Sequence, residues 1–228
     1  MGRYSTDAES KQEHLEKLGD TLGSLFHELW NEVAWLYIKW EEYVALFGKT
    51  PYRIDLLNRS APAFFRIIQD SLWEDVLLHI ARLTDPQKSS GKSNLSLQCL
   101  PDLVDDKIKV TISDQITTVK DKTDFCRDWR NRHIAHRDLK LAIGEKAESL
   151  KPASREKVRL ALDSIANVLN TISEYYLKST IGFNSIVEPG GAEELLYVLD
   201  DGIKAGIERQ KRIESGRYLP DDIAHRNL

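Results

Sequence analysis

Lys107-Ile108-Lys109-Val110-Thr111-Ile112-Ser113 is the stretch on which the fold class turns. Its strict alternation puts Ile108, Val110 and Ile112 on one side of a strand. The same residues open a second pattern, because Ile108, Ile112, Ile116 and Val119 fall at steps of three and four and run without a breaker into Phe125 and Trp129. A strand here has no obvious partner, whereas a helix continues to about His136. The helical reading is preferred, and with it every long element of the chain is helical.

Upstream, Leu15, Leu18, Leu22, Leu25, Leu29, Val33, Leu36, Trp40, Tyr43 and Phe47 mark a long amphipathic helix ended by Gly48. Gly19 and Gly23 each cost such a helix roughly 1 kcal/mol against alanine, so a break or bend is expected near them. Pro51 opens a second segment with its stripe from Ile54 to Leu83, which Pro62 should kink or split and Asp85-Pro86 should stop. Gln87 to Asn94 is polar and reads as a flexible surface loop. Downstream, Val158, Leu162, Ile165, Leu169, Ile172 and Tyr176 follow Pro152-Ala153-Ser154, and Leu195, Leu199, Ile203 and Ile207 follow Pro189-Gly190-Gly191. The expected fold is all-α: an up-down bundle of four to five helices, with long N-terminal helices and a C-terminal helix. Residues 1–12 read as a flexible lead-in, 13–214 as one helical domain and 215–228 as a polar tail.

The chain has 228 residues, 41% hydrophobic and 30% charged, enough apolar surface for a core and enough charge for solubility. Val33-Ala34-Trp35-Leu36-Tyr37-Ile38 is far below the ~20 residues that span a bilayer, and no secretory layout opens the sequence. With only Cys99 and Cys126 available for a bridge, the chain reads as cytoplasmic with free thiols and no membrane partner.

The formal charge of −4 gives no overall attraction to a polyanion, yet Arg127, Arg130, Arg132, Arg137 and Lys140 face only Asp128 and Asp138, a local net of +3. The segment Arg127-Asp128-Trp129-Arg130-Asn131-Arg132-His133-Ile134-Ala135-His136-Arg137-Asp138 is where any polyanion would be met. On a helix Arg127, Arg130, Asn131 and Ile134 share a face, and His133 and His136 follow Arg130 at three-residue steps. The plainer reading of Arg130 and His136 is a pair of cations complementing a helix C-terminus. Arg127 and His133 repeat the spacing three residues earlier, so a shifted register is an alternative. Asp75, His79 and Arg82 share one face of the second segment, either as a self-satisfied polar row or as support behind the basic segment. Trp30, Trp35, Trp40 and Trp73 are expected in packing, whether in the core or between copies, and Cys126 in the core. Trp129 lies inside the basic segment, where stacking on a base is the lesser of its readings. No histidine has Glu three residues before it and no glycine-rich phosphate loop occurs, so no metal or cofactor is called for.

Arg130-Asn131, four residues and then His136 resembles the Arg-x(4–6)-His motif of HEPN domains (higher eukaryotes and prokaryotes nucleotide-binding), in which a polar residue commonly follows the arginine. The longer pattern through Arg127, Ile134, Ala135 and Asp138 is similar to the branch found in abortive-infection U-type proteins of bacteria. Ile80-Ala81-Arg82-Leu83-Thr84-Asp85-Pro86 and the Pro189-Gly190-Gly191-Ala192-Glu193 entry also resemble that branch, over roughly residues 20 to 210. The resemblance implies a metal-independent endoribonuclease of defence or toxin type, leaving a 2′,3′-cyclic phosphate. In it His136 would be acid or base, Arg130 the phosphate clamp and Asn131 an orienting group. Arg127, Arg132, His133, Arg137 and Lys140 would bind RNA, with tRNA one candidate. It further implies a homodimer with the site at its interface. The rival expectations are a non-catalytic module binding RNA or protein, and a toxin paired with a nucleotidyltransferase antitoxin.

Overall fold

Asp105 settles the ambiguous stretch by capping a helix: its carboxylate accepts from the Lys107 N–H, and α5 runs from Asp106 to Trp129. Ile112, Ile116, Val119, Thr123, Phe125 and Cys126 form its buried stripe, whereas Val110, which a strand would have placed beside Ile112, is 71% exposed. The period of 3.6 won because only it gives one continuous apolar face over the whole element. These relationships come from a computed structural model that describes residues 6–89, 91–145, 147–185 and 190–224. The chain is an all-α helical bundle.

The long N-terminal pattern is two helices, α1 (Asp7–Leu18) and α2 (Asp20–Phe47), broken at Gly19 with φ +81°. Thr6 and Glu9 cap α1 reciprocally, so the lead-in expected over residues 1–12 is helical from Asp7 onward. Helix α1 folds back on α2: Asn31 donates to Asp7, Lys11 pairs with Glu28, and the His14 and His27 Nδ1 atoms lie 3.3 Å apart. Gly23 makes this approach feasible, since a Cβ there would sit 2.5 Å from the His14 carbonyl oxygen.

Pro62 splits the second segment into α3 (Pro51–Ser60) and α4 (Pro62–Leu83). The polar loop after it is structured rather than simply flexible. Two short strands, β1 (Lys88–Ser89) and β2 (Lys92–Ser93), pair around Gly91, and the Asn94 amide donates to the Pro86 carbonyl and the Ser89 hydroxyl. A 3₁₀ turn over Leu97–Asp102 leads into α5. Beyond it lie a short α6 (Leu139–Ala142), then α7 (Arg155–Leu177), capped by Ser154, and α8 (Ala192–Glu214). Pro189 and His225–Leu228 fall outside the described residues. The expected polar tail holds a further turn of helix, α9 (Pro220–Ile223), fixed by two Arg212–Asp222 hydrogen bonds.

The chain packs as two compact units, Met1–Trp40 with Trp73–Val187, and Glu41–Leu72 with Glu188–Leu228. In the first, Phe26, Leu29 and Leu36 of α2, Leu77 and Ile80 of α4, Ile112 of α5 and Leu162, Ile165 and Leu169 of α7 are fully buried. Each such side chain contributes about 1.5–3 kcal/mol of burial. In the second, Leu46, Leu56, Leu57 and Phe65 pack with Ala192 and Leu196. The Glu42 carboxylate accepts from the Ala192 N–H at 2.6 Å and so satisfies the first turn of α8. Trp40 is buried with its ring tilted against that of Trp73, but Trp35 is 53% exposed and lies outside this chain's core.

Candidate functional site

At Trp129 the backbone changes its winding. Arg130–Ile134 form a π-turn, in which the Ala135 N–H reaches back five residues to the Arg130 carbonyl at 2.9 Å. Single π-turns of this kind concentrate at functional sites because the widened turn redirects side chains. Regular helical structure therefore ends at Ile134 rather than at His136, and His136 occupies the bend beyond it.

Arg132 holds that bend in place. Its guanidinium pairs with Asp128 at 3.3 Å and Asp138 at 3.5 Å and donates to the Glu148 carbonyl. Asp138 in turn caps α6 through the Leu141 N–H. The Asp128 carboxylate accepts from the Lys151 N–H at 2.8 Å, and the Trp129 indole donates to the Lys151 carbonyl at 2.9 Å. The Trp129 ring edge also meets His133, whose Nε2 lies 3.4 Å from Glu74 of α4. Arg132 and Trp129 are thus engaged within the chain.

The arginines of the motif reach the end of α4. Arg127 donates to the Thr84 carbonyl at 2.6 Å, and Arg130 Nη1 donates to Asp85 Oδ1 at 2.5 Å. Arg130 Nε donates to Asn131 Oδ1 at 3.0 Å, and Asn131 itself is exposed. Asp85 is itself held, since its carbonyl accepts from Ser96 Oγ at 2.5 Å. His136, Arg137 and Lys140 are exposed, and among the described residues no hydrogen bond or ion pair engages their side chains.

Asp75, His79 and Arg82 form a partnered row. Asp75 accepts from Lys39 at 2.7 Å, and Glu32 Oε2 lies 2.7 Å from His79 Nε2 and 3.6 Å from Arg82. The Glu32 contact to His79 is close but not aligned as a hydrogen bond. Burial, followed by the Lys39 ammonium, pushes the His79 imidazole below its ordinary value. Burial likewise pushes the Cys126 thiol up. Among the described residues no group of three His, Cys, Asp or Glu is placed to hold a metal ion.

The structure brings Arg127, Arg130 and Asn131 together with Thr84 and Asp85, leaves His136 open, and turns Arg132 inward. Asp85 is the partner of Arg130 that sequence reasoning missed, although it stood inside the Ile80–Pro86 segment already singled out. An all-α chain whose longest basic segment ends a helix in this arginine–asparagine pair, with a histidine in the bend beyond, has the features of a HEPN-type domain. The HEPN AbiU2 family, described as AbiU2, matches residues 19–195, and the chain belongs to that family. No curated protein and no solved structure matches it. No helix among the described residues is long and apolar enough to cross a membrane.

Proposed function

We propose that the chain is an endoribonuclease acting in bacterial defence or as a toxin, with His136, Arg130 and Asn131 as its reactive group. The observation that carries this reading is the contrast between a fixed arginine and an open histidine: Arg130 is oriented by Asp85 and Asn131, whereas His136 is exposed. Nothing in the chemistry calls for a metal. His136 takes the proton of a ribose 2′-hydroxyl, the 2′-oxygen forms a bond to the adjacent phosphorus, and the bond from phosphorus to the 5′-oxygen breaks. Arg130 and the Asn131 amide stabilise charge on the phosphoryl oxygens. The products are a 2′,3′-cyclic phosphate and a 5′-hydroxyl. One histidine cannot readily serve both ends of an in-line displacement, so the proton for the leaving oxygen comes from a second copy across a two-fold dimer. Arg127, Arg137 and Lys140 add positive charge for RNA, tRNA included, with His133 beside them.

Purified protein incubated with total RNA or tRNA in EDTA is expected to cut it, leaving cyclic phosphate ends. A folded His136→Ala variant that still cuts would sink the assignment. One observation favours a second reading: Asp85 already neutralises Arg130, as suits a module that binds RNA or a protein without cleaving. Salt-sensitive RNA binding with no cut product would favour it, and co-purification with a nucleotidyltransferase would favour the toxin–antitoxin form.

A further inference from the structure

Beside the Arg130–Asp85 pair lies a cavity of about 230 Å³, walled by Glu32, Arg82, Leu83, Asp85, Ser93 and Leu95. It falls below the ~300–1,000 Å³ usual for sites that enclose a whole ligand, so its size suits one planar ring system. Its walls are firm. Asn94 ties the hairpin side to the Pro86 carbonyl and the Ser89 hydroxyl, and Leu83 is buried beneath. Leu95, 40% exposed, offers an apolar surface at the rim.

The polar groups in the cavity are two carboxylates, Glu32 and Asp85, with the Arg82 guanidinium and the Ser93 and Asn94 side chains beside them. Glu32 directs Oε2 at His79 and Arg82, and no hydrogen bond engages its Oε1 among the described residues. Asp85 gives Oδ1 to Arg130 and keeps Oδ2. An ionised carboxylate only accepts, so it selects a ring edge with adjacent N–H donors. Guanine has such an edge in N1–H and the N2 amine. It also offers O6 and N7 to a guanidinium, and Arg82, 60% exposed, is the one at hand. Adenine, cytosine and uracil lack two adjacent donors.

We infer that this cavity is a guanine subsite, read by Glu32 and Arg82 and coupled through Asp85 to Arg130. The inference rests on the ribonuclease reading only for placing that guanine next to the cut. The base enters with its Watson–Crick edge toward Glu32, and its sugar-phosphate lies on the Arg130 side of Asp85.

The test is titration of the full chain with 5′-GMP, 5′-AMP, 5′-CMP and 5′-UMP, followed by NMR shifts or calorimetry. 5′-GMP is expected to bind about tenfold or more tightly than the others. Glu32→Gln, which keeps the volume, and Ser93→Phe, which blocks the mouth from an exposed hairpin position, should each remove about that factor with an unchanged helical spectrum. Absence of 5′-GMP binding, equal binding of all four nucleotides, or full binding by both variants would overturn the subsite. Binding is read without cleavage, so the two proposals fail separately. Guanine binding by a protein that never cuts RNA defeats only the ribonuclease reading. Cleavage with no base preference and no 5′-GMP binding defeats only the subsite.

Discussion

Asp85, just past the end of α4, and Arg130, the first residue past α5, form a half-buried ion pair at 2.5 Å, with 20% and 23% of their side chains exposed. The pair fixes the guanidinium of the motif to a second element. One residue earlier the Thr84 carbonyl takes Arg127, so two consecutive residues on one side receive two arginines one helical turn apart.

Replacing Asp85 by Asn keeps the shape and removes the charge. Hydrogen bonds to charged groups contribute about 1.5–3 kcal/mol, and a loss of about 1–3 kcal/mol in denaturant unfolding is expected. If Arg130 clamps a phosphate, cleavage should fall about 10–100-fold in kcat, because a misplaced catalytic group costs about that much. Faster cleavage in Asp85→Asn would instead mean that Asp85 restrains Arg130 from the phosphate.

His136 and Arg132 should separate chemistry from architecture. His136 is exposed and without a partner among the described residues, so His136→Ala should change stability by no more than about 0.5 kcal/mol while abolishing cleavage. Arg132→Ala removes the contacts to Asp128, Asp138 and the Glu148 carbonyl and should lower the urea midpoint, which His136→Ala should not. Its effect on RNA binding should be indirect, with little change in the salt slope, whereas Arg137→Ala or Lys140→Ala should reduce that slope by about 1. Urea unfolding and salt-dependent RNA binding check both halves.

The helices were legible because their apolar spacing is regular and their ends carry caps: Ser154 before α7, Pro51 opening α3, Pro62 opening α4. What stayed hidden depends on contacts between residues far apart in sequence. Nothing local marks Arg132 as an internal brace and Arg130 as half-open, since both are arginines in one basic run. The π-turn is equally invisible, because no residue type in Arg130–Ile134 marks a five-residue hydrogen bond in place of a four-residue one. The capped start at Asp7 was missed for a different reason: α1 is polar, with His14 as its one buried residue, so an apolar stripe could not reveal it.

That buried histidine predicts a pH response. Burial, together with the neighbouring His27, pushes His14 down to about 4 from its usual 6.5. Between those values the unfolded chain binds the proton and the folded chain does not. The stabilising effect is therefore complete above about pH 6.5 and is lost as the pH falls toward 4, by about 1–2 kcal/mol once solvent screening is allowed for. The other charged groups nearby are Asp7 on His27 and the Lys11–Glu28 pair. A His14→Phe variant should flatten the stability profile over this window in urea titrations at successive pH values. An unchanged slope would remove His14 as its source.

Gly23 gives the last prediction, one in which secondary-structure propensity and packing have opposite signs. It lies inside α2, where alanine would gain about 1 kcal/mol of helix propensity. Its Cα, however, faces the backbone of α1: a Cβ would stand 2.5 Å from the His14 carbonyl oxygen and 2.9 Å from the Leu15 Cα. Backbone cannot swing aside as a side chain can, so α1 must lift, which separates His14 from His27 and Asp7 from Asn31. Overpacking of this kind costs about 1–3 kcal/mol, enough to outweigh the propensity gain. Gly23→Ala should therefore be less stable than the parent and should speed amide exchange selectively across Asp7–Leu18. Gain of stability with unchanged exchange would show that α1 does not lie against α2 at this point.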